Sequence, residues 1–294
     1  MTTGTDPLVT TDWLQARLCD PALRVVDVRG YVTTRPLSAG VEEAIYLGAR
    51  DEYLAGHVPG AVYVDWTKDI VDPDDPVPAQ VAPPERFAAA MSERGIGPET
   101  RVVAVDHMGG QYATRLWWAL RYHGHEAVSV LDGGWNRWVE EERAAESGPV
   151  TVLAAAFQSR LQPEWRATAA DLLARLGQPD LQLIDARDPG QYTGARRRGP
   201  RGGHIPGAVN LPRELFFAEG GGYLPLDEVR RRVEQRGLTP DRATVAYCNG
   251  GVAATVVLFN LFRLGYPALC NYDGSWNEWG PRLDWPASTE SPGR

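Results

Sequence analysis

Cys248 is the residue of this 294-residue chain best placed for covalent chemistry. Thr244, Val245, Ala246 and Tyr247 lead into it as a buried strand would. Asn249-Gly250-Gly251 follow as a short turn, and Val252, Val256, Phe259 and Leu264 are spaced to share one face of a helix. Strand, cysteine, glycine turn and helix, in that order, aim backbone N–H groups and the positive end of a helix dipole at one sulfur. A thiolate is favoured there, and the turn is a ready anion cradle, with Asn249, Gly250, Gly251, Val252, Ala253 and Ala254 as its candidate binding residues. The bland alternative is an inert, half-buried cysteine at a strand end; the two glycines after Cys248 favour the reactive reading. Cys19 ends a helix and Cys270 sits in a strand pattern. Neither adjoins a glycine turn and a helix start, so both are expected to be inert.

Charge chemistry in this chain belongs to arginine. Of the 30 basic residues only Lys68 is a lysine, so a side-chain anion site must use the planar guanidinium fork, which suits carboxylate and sulfonate groups. Arg197, Arg198 and Arg201, beside Arg196, make one candidate cluster, whose alternative is a solvated run of charges. Arg29 and Arg187 each stand two residues after an aspartate at the end of a strand pattern. They read mainly as structural pairs tying strand to turn, with Arg187 the next candidate for an anion.

The elements that must position these residues come in two copies. Leu23–Arg29 and Leu181–Arg187 are matching strands ending in Asp-x-Arg. Gly56-His57-Val58-Pro59-Gly60-Ala61 matches Gly203-His204-Ile205-Pro206-Gly207-Ala208, helix 85–94 matches helix 225–236, and Asp132-Gly133-Gly134-Trp135 matches Asp273-Gly274-Ser275-Trp276. Four landmarks in the same order signal two copies of one fold. Strands alternating with helices predict an α/β fold, each copy a mainly parallel sheet with helices on both faces. Ligands then sit beyond the carboxyl ends of the strands, where Cys248 lies. The expected division is 1–144, a connecting arm 145–163, and 164–294. Residues 71–84, rich in Pro and Asp, read as a surface loop. Aligned without gaps, His107 stands where Cys248 does; a shift of one residue puts Asp106 there. Neither supplies a thiol, so the first copy is expected to wall the site, with His107 and its neighbours.

Composition narrows the classes further. A net charge of -8 argues against nucleic acid or an anionic membrane as partner. Apolar runs fall far short of the ~18 residues of a membrane span, and the first residues lack the basic-then-apolar layout of a secretion signal. Three widely spaced cysteines make no disulfide framework. Without a C-x-x-C pair or a ligand spacing among the histidines, no metal is expected, and nothing calls for a cofactor. A reducing cytoplasm fits this usage.

Taken together, the Asp-x-Arg strand ends, the Gly-His-(Val/Ile)-Pro-Gly-Ala segments, the Asp-Gly-(Gly/Ser)-Trp pairs and Cys248-x-x-Gly251-Val252-x-Ala254 resemble the tandem-domain rhodanese family, the thiosulfate and 3-mercaptopyruvate sulfurtransferases. The resemblance covers nearly the whole chain. It implies two similar rhodanese-like domains, the first without the catalytic cysteine, and Cys248 as sulfur carrier near the domain interface. Sulfane sulfur would pass from thiosulfate, the first donor expected, or 3-mercaptopyruvate, the next, to a Cys248 persulfide, and then to a thiol, cyanide or thioredoxin-like acceptor. Three departures bear on the donor. Thiosulfate-type members carry Arg-Lys after the cysteine and mercaptopyruvate-type members Gly-Ser, the serine joining a His-Asp relay. Here the pair is Asn249-Gly250, and 66–84 holds no histidine. One family arginine is Gln191 here; another falls on Arg197, counting back from Gly203-His204. Two rivals remain. A cysteine phosphatase needs Cys-x5-Arg, and Ala254 stands at that position, which disfavours it. A non-catalytic or persulfide-relay binding protein is the other alternative.

Overall fold

A computed structural model describes residues 6–290. The first half runs β1 (Leu8–Val9), α1 (Thr11–Gln15), β2 (Leu23–Asp27), β3 (Gly30–Ser38), β4 (Val41–Gly48), α2 (Arg50–Ala55), β5 (Val62–Tyr63), α3 (Pro84–Glu93), β6 (Arg101–Val105), α4 (Gln111–Tyr122), β7 (Val128–Leu131) and α5 (Gly134–Glu140). The second runs β8 (Arg166–Ala167), α6 (Ala169–Arg175), β9 (Leu181–Asp185), α7 (Pro189–Tyr192), β10 (Arg197–Arg198), β11 (Ala208–Asn210), α8 (Leu226–Glu234), β12 (Ala243–Tyr247), α9 (Ala254–Arg263), β13 (Leu269–Tyr272) and α10 (Ser275–Trp279).

Each half is built on a five-stranded, wholly parallel sheet. The orders are β1-β7-β6-β2-β5 and β8-β13-β12-β9-β11, the same topology element for element. The central strands β6 and β12 are Val- and Ala-rich and buried beyond their first residue, as strands covered on both faces must be. The expected α/β repeat is therefore present, with element ends within a few residues of those read from periodicity.

The two halves share a core. α4 and α9 pack on each other, with Trp117 edge-on to Phe259 and Phe262 at 5.1 and 5.4 Å between ring centroids. Thr114 Oγ1 and Thr255 Oγ1 meet at 2.9 Å between these helices. The connecting arm has no regular element between α5 and Pro163. It is pinned along the first half by Ala155 N–H to Ser92 O, Phe157 N–H to Ser92 Oγ and Arg160 N–H to His123 O.

Two features depart from the sequence reading. Residues 30–48 form the long antiparallel hairpin β3–β4, a segment read without an element. The two-residue β10 of the second half joins β4 in parallel, Arg197 opposite Val41 and Arg198 opposite Glu42. Residues 71–84 are also only partly a surface loop, because Gln80, Val81 and Ala82 are buried.

Candidate functional site

Cys248 follows the last residue of β12 and is 3% exposed. The strand end is held by a buried network. Tyr247 donates its hydroxyl to Asp185 Oδ2 at 2.8 Å and accepts from Ile205 N–H. Arg187 donates to both carboxylate oxygens of Asp185 and to Gly203 O, its guanidinium 4.5 Å from the Trp276 ring centroid. Arg29 and Asp27 repeat this pairing in the first half, with Arg29 against Trp135. Both arginines are thus bound up in strand-to-turn ties.

Ser275 shapes the turn. Its Oγ accepts from Cys248 N–H at 3.1 Å and Gly251 N–H at 3.0 Å, and donates to Tyr272 O at 2.7 Å. Gly251 has φ +70°, and a Cβ there would lie 2.6 Å from Asp273 Oδ1, so the position requires glycine. The N–H groups of Asn249, Gly250, Val252, Ala253 and Ala254 have no protein acceptor among the described residues. The six-residue cradle read from the sequence is therefore divided: the Gly251 N–H is taken by Ser275, along with that of Cys248 itself, and the other five are free.

The first half shows what such a turn binds. Trp135 N–H donates to Asp106 O, as Trp276 N–H donates to Cys248 O; Val28 N–H donates to Val105 O, as Ala186 N–H donates to Tyr247 O. Asp106 is therefore the counterpart of Cys248. The gapless match to His107 fails because the first-half turn is one residue longer. The Asp106 carboxylate enters that turn, Oδ1 accepting from Met108 and Gly110 N–H, Oδ2 from Tyr112 and Ala113 N–H at 2.7 and 3.0 Å. Counting back from the paired Thr114 and Thr255, the counterparts of Tyr112 and Ala113 are Ala253 and Ala254, whose N–H groups are free.

The first half also walls the cysteine loop, but with other residues than expected. A Cβ at Gly250 would lie 3.4 Å from Pro78 O and 3.5 Å from Ala79 Cβ. Tyr46, on β4, has its hydroxyl 3.1 Å from Asn277 Nδ2, and Asn277 N–H donates to Asn249 O. Arg115 of α4 donates to Asp273 Oδ1, Gly251 O and Ala79 O, while Asp273 Oδ2 accepts from Val81 N–H. The Arg115–Asp273 pair is fully buried and joins the halves directly behind the turn. His107 instead packs edge-on against Tyr31 within its own half.

The arginine cluster divides by strand geometry. Successive residues of a strand face opposite ways. Arg198, in register with Glu42, shares the inward face of Glu42, Ala44 and Tyr46, while Arg197 points outward and is exposed. Arg198 Nε is enclosed without a partner. Arg201 donates to Trp285 O and Trp279 O, and Arg196 pairs with Asp188. Beside the cysteine, Asn249 Nδ2 donates to Gln191 Oε1 at 2.9 Å, so the near wall is uncharged. Cys270, half-buried in β13, has its thiol pushed up to about 12 by desolvation; Cys19 is exposed.

Tyr46, Asn277, Ser275 and the Arg115–Asp273 pair escaped the sequence reading. One signal was available for Ser275, since it is where the repeated motif changes from Gly134. Among the described residues no group of three or more His, Cys, Asp or Glu could hold a metal ion, and no helix is long and apolar enough to cross a membrane.

Comparison with known proteins agrees with this architecture. A profile of the rhodanese-like domain matches residues 10–141 and 168–281. The chain is 35% identical over 281 residues to the 3-mercaptopyruvate sulfurtransferase of Escherichia coli (strain K12), covering 95% of this chain and 96% of that protein. It is 34% identical over 282 residues to the thiosulfate sulfurtransferase of Bos taurus, covering 92% of this chain and 91% of that one. The crystal structure of SseA from Escherichia coli, a 3-mercaptopyruvate sulfotransferase with the rhodanese fold, superposes with a TM-score of 0.80 at 32% identity, over 92% of this chain and 99% of that one.

Proposed function

The chain belongs to the rhodanese-like domain family, and from that premise we propose that it is a sulfurtransferase that carries sulfur as a persulfide on Cys248. The observation that carries this reading is the occupied turn of the first half. There a carboxylate whose oxygens lie two bonds beyond Cβ is held by four N–H groups, two to each oxygen. A sulfur bonded to Sγ of Cys248 also lies two bonds beyond Cβ, at the mouth of a turn in which five N–H groups are free. Such donors stabilise developing charge without reorganising.

The Cys248 thiolate attacks the sulfane sulfur of the donor. With thiosulfate the S–S bond breaks and its electron pair leaves on sulfite. With 3-mercaptopyruvate the C–S bond breaks, and the departing enolate takes up the proton released by the donor thiol. Either step leaves a Cys248 persulfide anion. An acceptor thiolate or cyanide then bonds to the outer sulfur, and the S–S pair returns to Sγ as thiolate. The donors are those for which the relatives are named; a small thiol, cyanide or a thioredoxin-like protein is the acceptor class. In this reading 164–294 is the catalytic domain, 1–144 a scaffold that walls it, and 145–163 the arm between them.

The test is direct. The protein is incubated with each donor, desalted and weighed intact. A gain of one sulfur atom that cyanide removes as thiocyanate is expected; no gain with either donor rejects the reading.

A further inference from the structure

Cleavage at Cys248 requires that the polar end of the donor be held as well as its sulfur. The cysteine loop supplies no cation, and Asn249 and Gln191 on the near wall are neutral. The far wall differs. Tyr46 reaches it from the first half on the hairpin, its ring edge-on to Trp66 at 5.7 Å and its hydroxyl against Asn277, whose Nδ2 lies 3.1 Å from where a Gly250 Cβ would be. Arg198 is brought to the same face by the pairing of β10 with β4. It makes no ion pair among the described residues, and Glu42, its neighbour in register, pairs with Arg196.

We propose that Tyr46 is a donor-binding residue, its hydroxyl and the Arg198 guanidinium together forming the subsite for the donor's anionic end. This rests on the sulfurtransferase reading and adds a substrate class to it. One guanidinium and one neutral hydroxyl match a single carboxylate with an adjacent carbonyl oxygen, as in a 2-oxo acid bearing a thiol. They match a compact dianion such as thiosulfate less well, because its second charge meets no cation. Burial raises the phenol pKa above its ordinary value, so the hydroxyl remains a donor at neutral pH, and the charges of Arg198 and Cys248 both act on it.

The test is Tyr46→Phe, which keeps the ring and its contact with Trp66 and removes only the hydroxyl. kcat/KM is measured for 3-mercaptopyruvate and for thiosulfate, together with single-turnover discharge of preloaded persulfide to cyanide and the melting temperature. The expected result is a fall of about tenfold for 3-mercaptopyruvate, the scale of one lost hydrogen bond to a charged group, expressed mainly in KM. Thiosulfate kinetics should fall by a smaller factor, while discharge and melting should be unchanged. Unaltered 3-mercaptopyruvate kinetics overturn the subsite, and so do equal losses with both donors and in discharge, which mark a structural role. A wild-type protein that loads sulfur from neither donor overturns the sulfurtransferase reading and the subsite with it. A wild-type that loads while Tyr46→Phe loads equally well overturns the subsite alone.

Discussion

Asp106 and Cys248 stand at the same point of the same turn and differ in what fills the space beyond Cβ. The aspartate brings its own anion, so the first-half turn is satisfied and closed. The cysteine leaves its turn open for an anion to be added and removed. Replacing either residue therefore has a distinct outcome. Cys248→Ser should abolish sulfur loading with both donors, whereas Cys19→Ser and Cys270→Ser should retain it, read as the sulfur adduct by intact mass. Iodoacetamide at pH 8 should leave Cys270 unlabelled, since burial holds its pKa near 12. Loading that survives Cys248→Ser and disappears in Cys270→Ser would move the site to β13. Asp106→Ala should cost about 1–3 kcal/mol in urea unfolding, because buried N–H groups lose their acceptor. An unchanged midpoint would mean that water replaces the carboxylate without cost.

Elements act here through their junctions. The start of α10 holds the cysteine turn through one hydroxyl, and Ser275 has φ +53°, a strained value that the corresponding Gly134 adopts freely. Ser275→Ala should slow persulfide formation, because the Cys248 and Gly251 N–H groups lose the acceptor that fixes the turn. Loading as fast as in the wild type would show that the turn keeps its shape unaided. Behind that turn, Asp273 neutralises Arg115 and caps Val81 N–H, so it fastens the 78–81 wall to the second half. Asp273→Asn leaves a buried guanidinium without its counter-charge. A loss of about 3–5 kcal/mol is expected from urea unfolding. A loss under about 1 kcal/mol, the scale of an exposed pair, would mean that water reaches Arg115.

The whole molecule is held by a core that neither half owns, with α4 and α9 at its centre. His123, at the end of α4, is buried against Phe87 and hydrogen-bonds Ser159 of the connecting arm. Burial lowers its pKa to about 3, and also lowers those of His125 and His204. The folded protein holds His123 neutral, while the unfolded chain binds a proton below about pH 6.5. Stability from this group is therefore complete above that pH and lost as pH falls toward 3, at a slope of about 1.4 kcal/mol per unit. The urea midpoint should drop between pH 7 and pH 5, before most carboxylates titrate. An unchanged midpoint over that window would show that His123 is hydrated when folded.

The sequence by itself determined the parts whose causes are local. The unbroken run of β-branched and apolar residues in β12, the helical period of α9, the glycines at φ-restricted turns and the four landmarks that each occur twice are all written in stretches of a few residues, so the α/β repeat and the Cys248 turn were legible. The tie between Asp185 and Arg187 was legible for the same reason, being two residues long. The tertiary structure decided facings and partners across long separations. Arg198 rather than Arg197 faces inward because β10 takes its register from β4, on the other half of the chain. Asp106 rather than His107 answers Cys248 because one added residue in a turn leaves the strand end in place and displaces the residues beyond it. Tyr46 reaches the cysteine loop because a hairpin folds across the boundary between halves, and Arg115 meets Asp273 because two helices bury their apolar faces on each other. No local preference encodes such contacts; they are fixed by the burial of a shared core, which exists only once both halves are folded.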